Sequence, residues 1–188
     1  EFKTKKLMQE VLYLLQANEL PAALEKCKTL ISANPADAEL QHLLGIVYAK
    51  TGDLHQALAA FSQAIKLNPK QAIYHNNISN AYKMLGNFDF AIRHLHEALR
   101  LDPNNGESHN NLGSLFYSTG QIKLAIPMFE KAIRVNPYSW EAHYNLANCL
   151  IKQNLVLQAI PHYQTAIKLN PKHKDKLYIL YLSNLFHW

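Results

Sequence analysis

The sequence predicts an all-α solenoid of five helix–turn–helix repeats followed by a C-terminal helix, and three series of residues sharing one period predict it. Pro35, Pro69, Pro103, Pro137 and Pro171 recur every 34 residues, each directly behind Asn or Asp. Asn18, Gly52, Gly86, Gly120 and Asn154 repeat with the same period. Ala23, Ala57, Ala91, Ala125 and Ala159 form the third series. An internal period of this length is the mark of a stacked repeat.

Each series has a physical task. The Gly/Asn series sits where the chain must reverse through positive φ, which these residues tolerate best. The Asn-Pro series ends each second helix, because the residue before proline is pushed out of the helical region. The alanines stand where two helices must approach closely. Between these marks the apolar spacing is helical. In the second repeat Leu40, Leu43, Leu44, Val47 and Tyr48 make one stripe. Leu54, Ala57, Leu58, Phe61, Ala64 and Ile65 make the other.

This pattern resembles the tetratricopeptide repeat (TPR) family over nearly the whole chain. The second repeat carries the family motif as Leu44-Gly45, Tyr48, Ala57, Phe61, Ala64 and Pro69. The fourth carries it as Leu112-Gly113, Phe116, Ala125, Phe129, Ala132 and Pro137. The third substitutes Ile78-Ser79 and Leu95, the fifth Ala147, Leu150 and Tyr163, and the first departs furthest. An atypical end repeat suits a solenoid, whose terminal unit lacks a neighbour. The resemblance implies a right-handed solenoid with repeats over 4–37, 38–71, 72–105, 106–139 and 140–173, read as one domain, 1–188, with a C-terminal apolar helix over 174–188. It also implies that first helices line the concave face and that the chain binds protein rather than carrying out chemistry.

Composition narrows the function classes. Hydrophobic residues are 48% and charged residues 18%, enough apolar content for a core. No apolar run reaches the 18 or so residues of a membrane span, and no leader pattern is read. The net charge of +5 is mild, with lysines gathered at 172–176 and no continuous basic face. Nucleic acid is therefore not an expected partner. Cys27 and Cys149 are too few and too far apart for a metal site or a disulfide framework. A cytoplasmic setting, no cofactor and no metal are the expectations.

The candidate site is a ladder of asparagines. The sixth position reads Asn77, Asn111 and Asn145 in the third to fifth repeats, the fifth adds Asn76 and Asn110, and the ninth adds Asn80 and Asn148. Asparagine is a poor helix-interior residue, so its recurrence asks for a reason. A primary amide offers both donor and acceptor and can pair with a peptide unit. The runs Asn-Asn-Leu-Gly-Ser (110–114), Asn-Asn-Ile-Ser-Asn (76–80) and Tyr-Asn-Leu-Ala-Asn (144–148) resemble the repeats of O-linked N-acetylglucosamine transferases. There the sixth-position asparagine holds peptide backbone, which the resemblance carries to Asn77, Asn111 and Asn145. Leu43 and Gln9 occupy the place in the second and first repeats. The alternative role is bracing of a neighbouring helix. A carboxylate clamp is disfavoured, since its cationic places read Asn76, Glu141 and Asn145.

Other periodic residues read as structural. His75, His109 and His143 stand one repeat apart, too far for shared metal ligation, and take the place of a packing aromatic. Lys66, Arg100, Arg134 and Lys168 fall where a cation suits a helix C-terminus. No nucleophile motif or close acid–base pair is present, so an enzyme is not expected. The segment from Leu177 to Trp188 is apolar nearly all round, which suggests self-association or domain docking through Leu182, Phe186 and Trp188. Three function classes follow: a peptide-binding scaffold, the substrate-recruiting arm of a larger enzyme such as a glycosyltransferase, and a self-assembling structural protein.

Overall fold

A computed structural model describes residues 2–170 and Leu182, with side chains from Lys6 onward. The described residues form ten α-helices: α1 (Phe2–Gln16), α2 (Leu20–Ala33), α3 (Ala38–Thr51), α4 (Leu54–Leu67), α5 (Ala72–Met84), α6 (Phe88–Leu101), α7 (Gly106–Ser118), α8 (Ile122–Val135), α9 (Trp140–Lys152) and α10 (Val156–Leu169). They make five consecutive pairs at the expected places. The chain divides into two compact units, Glu1–Leu101 and Asp102–Trp188. Within each unit every helix packs on the next in the chain; α3 also meets α5, and α7 meets α9. The anticipated C-terminal helix over 174–188 lies outside the described residues, apart from the helical, half-buried Leu182.

All three residue series do the work expected of them. The turns pass through positive φ at Asn18 (59°), Gly52 (85°), Gly86 (75°), Gly120 (76°) and Asn154 (60°). Asn34, Asn68, Asn136 and Asn170 leave the helical region with φ between −143° and −123°. Ala23, Ala57, Ala91, Ala125 and Ala159 are all fully buried. Asp37, Asp53, Asn105 and Ser139 cap helix N-termini by accepting backbone N–H bonds, satisfying donors the helix cannot. The basic ladder of Lys66, Arg100, Arg134 and Lys168 falls in last turns, where it suits the helix dipole. Cys27 and Cys149 are fully buried, and burial pushes both thiols up to about 12, so they pack as small apolar groups.

One packing contact explains the glycine of the family motif. A Cβ on Gly45 would stand 2.5 Å from the Phe61 ring, and one on Gly113 would stand 2.8 Å from the Phe129 ring. The phenylalanine of the second helix occupies the space of the missing side chain. Where the first helix carries Ser79 or Ala147 instead, the second carries Leu95 or Tyr163.

The histidine ladder is a core feature with polar links of its own. His75, His109 and His143 are buried, at 7%, 6% and 8% exposure. His109 Nε2 meets the Pro103 carbonyl at 2.9 Å, and His143 Nε2 meets that of Pro137 at 3.1 Å. The Pro69 carbonyl likewise favours the charged form of His75, but His75 Nε2 makes no hydrogen bond of full geometry. In two repeats the other ring nitrogen meets a histidine of the second helix. His75 Nδ1 lies 3.0 Å from His94 Nδ1, and His143 Nδ1 lies 3.0 Å from His162 Nδ1. Met128 takes that place in the fourth repeat, and His109 Nδ1 is buried without a partner. An N–H···N bond needs one neutral ring to accept. Burial lowers His75, His94 and His162 below the ordinary histidine range, and each neighbouring ring adds to the lowering of His94 and His162. Glu97 opposes the shift at His75 and His94, while Arg100 reinforces it at His75.

The glycine contact and the histidines each generate a measurable expectation. Gly45→Ala is expected to cost about 1–3 kcal/mol in chemical denaturation. Adding Phe61→Leu, the choice of the third repeat, should recover much of that loss. Histidines held neutral in the fold take up protons on unfolding, so their stability contribution is full above about pH 6.5 and falls as pH drops below it. Melting temperature should therefore decline between about pH 7.5 and 5.5. His94→Met with His162→Met, the residue of the fourth repeat, should make that decline shallower.

Candidate functional site

In each unit one sixth-position asparagine reaches the first helix of the preceding repeat. In unit 1, Asn77 on α5 is half-buried, and its Nδ2 lies 2.8 Å from His42 Nε2 on α3. The His42 ring packs on Tyr74, with centroids 4.5 Å apart, and on Phe61, at 5.7 Å. This burial lowers its pKa to about 4. The Asn77 Nδ2 can only donate, so Nε2 of the His42 ring, neutral at physiological pH, is the acceptor. In unit 2, Asn145 Nδ2 on α9 donates to Asn110 Oδ1 on α7 at 3.2 Å. Both bonds span 35 residues, one repeat plus one position.

The remaining asparagines have separate fates. Asn76 is fully buried, which corrects its expected place at a peptide-facing surface: the amide has no exposed area with which to meet a partner. Asn80 is half-buried. Asn148 accepts a 2.6 Å hydrogen bond from the Tyr163 hydroxyl and so ties α9 to α10. Asn111 is half-buried and, with Asn110, lines a cleft of about 410 Å³ in unit 2. Glu107, Asn136, Ser139 and Glu141 supply the rest of its polar wall.

The cleft gathers amides, carboxylates and a hydroxyl at one end of the first helices of unit 2. It offers hydrogen-bond acceptors and donors together, the chemistry that fixes the orientation of a polar ligand. Asn136, read from sequence only as a helix end, and Ser139 were not singled out as site residues. Their signal is their position, since they end α8 and cap α9. His42 was also missed, although it stands one repeat plus one position before Asn77. Among the described residues no three His, Cys, Asp or Glu side chains gather as a metal site, and no helix is long and apolar enough to cross a membrane. Phe186 and Trp188 lie outside the described residues.

Family models agree with this architecture. Two described as tetratricopeptide repeat match residues 111–174 and 70–137, and one described as TPR repeat matches 47–86. A comparison with curated protein sequences finds no match. Among solved structures, a thermophilic TPR protein of Thermus thermophilus is similar, with a TM-score of 0.82 and 22% identity over 97% of this chain and 98% of that one. Pseudomonas aeruginosa pilF is similar with a TM-score of 0.81 and 19% identity over 97% and 91%. YrrB, described as a TPR protein with an unusual peptide-binding site, gives 0.66 and 20% over 89% and 86%. At these identities the likeness is one of fold. Five described helix pairs, the residue series that build them and the three matching models lead to one conclusion: the chain belongs to the tetratricopeptide repeat family.

Proposed function

We propose that this chain is a non-enzymatic interaction scaffold that holds an extended peptide or partner segment on its first-helix face. The observation that carries the reading is the polar cleft of unit 2, in which Asn110 and Asn111 stand together with Glu107 and Ser139. A cleft walled in part by amides, one of them the sixth-position Asn111, suits a main chain, whose N–H and C=O groups recur regardless of sequence. Asn77, Asn111 and Asn145 are the proposed backbone contacts, with Asn80, Asn110 and Asn148 beside them. The peptide-binding site in the description of YrrB supports the class of partner, not its identity.

The bonds already made by Asn77 and Asn145 do not exhaust them. Each uses one N–H of two and leaves the carbonyl oxygen out of that bond. Bracing and peptide contact are therefore compatible roles for one side chain. The same scaffold also fits the recruiting arm of a larger enzyme; sequencing beyond Trp188 in the native reading frame distinguishes that setting.

The triple variant Asn77→Ala, Asn111→Ala, Asn145→Ala tests the reading. Helical content by circular dichroism should be retained, with a small fall in melting temperature from the lost braces. Affinity for a peptide captured by the native chain should fall by about 1 kcal/mol per lost hydrogen bond, roughly fivefold each. Unchanged affinity would remove the ladder as the grip.

A further inference from the structure

Two bonds between neighbouring repeats share one register. Asn77 Nδ2 reaches His42 in unit 1, and Asn145 Nδ2 reaches Asn110 in unit 2, each across 35 residues. The acceptors differ chemically, one an imidazole nitrogen and the other an amide oxygen. Their position is the same: the fifth place of the preceding repeat's first helix. The same spacing occurs with apolar residues at both places. In the second repeat the sixth position is Leu43, and the residue 35 places before it is Met8. Leu43 and Met8 belong to one apolar cluster. A polar sixth position thus goes with a polar fifth position one repeat earlier, and an apolar one with an apolar one.

Chemistry adds a direction. In both observed pairs the ladder asparagine is the donor and the fifth-position residue the acceptor. His42 can accept because it is held neutral among aromatic rings. An asparagine side chain has two amide faces of opposite hydrogen-bonding character, and rotation about its last bond exchanges them. An acceptor placed against Nδ2 disfavours that exchange, more firmly at His42, whose packed ring has no oxygen to swap for a nitrogen, than at Asn110. Both amides then turn their nitrogen toward the preceding repeat and their oxygen away from it.

We propose that His42 and Asn110 are positioning residues, each fixing the amide of the next repeat's ladder asparagine by its Nδ2 and so leaving Oδ1 and the second N–H set for a peptide main chain. This rests on the peptide-binding reading above. Its effect is preorganisation: a side chain already held in one orientation loses less freedom when it binds. It also gives each held amide a direction within its own unit, nitrogen toward the preceding repeat. An amide so directed prefers one direction of the bound peptide over the other.

The experiment uses the intact chain and, as probe, a dodecamer selected on it from a random display library. The triple alanine variant of the ladder first establishes whether that dodecamer uses the asparagines. Given that loss, His42→Leu and Asn110→Leu should each weaken the dodecamer about fivefold or more, with Asn77 and Asn145 untouched. His42→Asn and Asn110→His restore an acceptor and should bind within about twofold of the native chain. Leucine variants that bind like the native chain would overturn the positioning role while leaving peptide binding in place. A dodecamer indifferent to the triple variant would instead overturn the peptide reading itself. A measurement on the free protein needs no folded variant. The nitrogen chemical shift of His42 Nε2 should be that of an unprotonated acceptor, with a scalar coupling to Asn77 Nδ2 across the bond. A protonated Nε2 at neutral pH would sink the proposal.

Discussion

Everything in this molecule depends on two helices of one repeat coming close enough to touch backbone to side chain. The second helix offers an alanine at its point of approach, fully buried in all five repeats. The first helix offers a glycine, serine or alanine opposite a large apolar residue in the second to fifth repeats. Gly45 and Phe61 show how little slack there is, since even a methyl group would overlap the ring. Protein interiors are packed at crystal-like density, so such a contact sets the separation of the helices as a fixed quantity. The spacing of neighbouring first helices within a unit is then set as well, and with it the reach of any side chain that bridges them.

A core of this kind leaves room for buried polar groups only where partners are built in. The histidines at the fourth position show the rule and its exception. In the third and fifth repeats a second histidine meets the first at 3.0 Å, whereas Met128 leaves His109 Nδ1 without a partner in the fourth. An unmet buried donor or acceptor costs free energy. That ring is held instead from its other nitrogen, by the Pro103 carbonyl. The asparagines obey the same rule where the core gives way to the surface. Their bonds to His42 and Asn110 satisfy part of each amide and leave part of it for something else.

The bracing role and the binding role, alternatives on sequence grounds, can share one side chain. The second repeat carries an apolar pair at the same spacing, Leu43 and Met8, both in one apolar cluster. The fold thus accepts an apolar residue at the sixth position, as Leu43 shows. In unit 2, Asn110 and Asn111 form part of the wall of a polar cleft.

The sequence by itself determined the repeat, its boundaries and its turns. Those features are local: proline forbids helix before it, Gly and Asn accept positive φ, and apolar spacing marks the buried face. The burial of both cysteines and of the histidine ladder followed for the same reason, since each lies on an apolar stripe. Only the tertiary structure decided which amides keep exposed area. Asn76 and Asn77 are adjacent in the chain, yet one is fully buried and the other only half-buried, because a helix turns by about 100° per residue. Asn148 was committed to Tyr163, and His42 emerged as a partner of Asn77, through contacts between separate helices. Such roles belong to pairs of residues brought together by packing, and no single helix carries them.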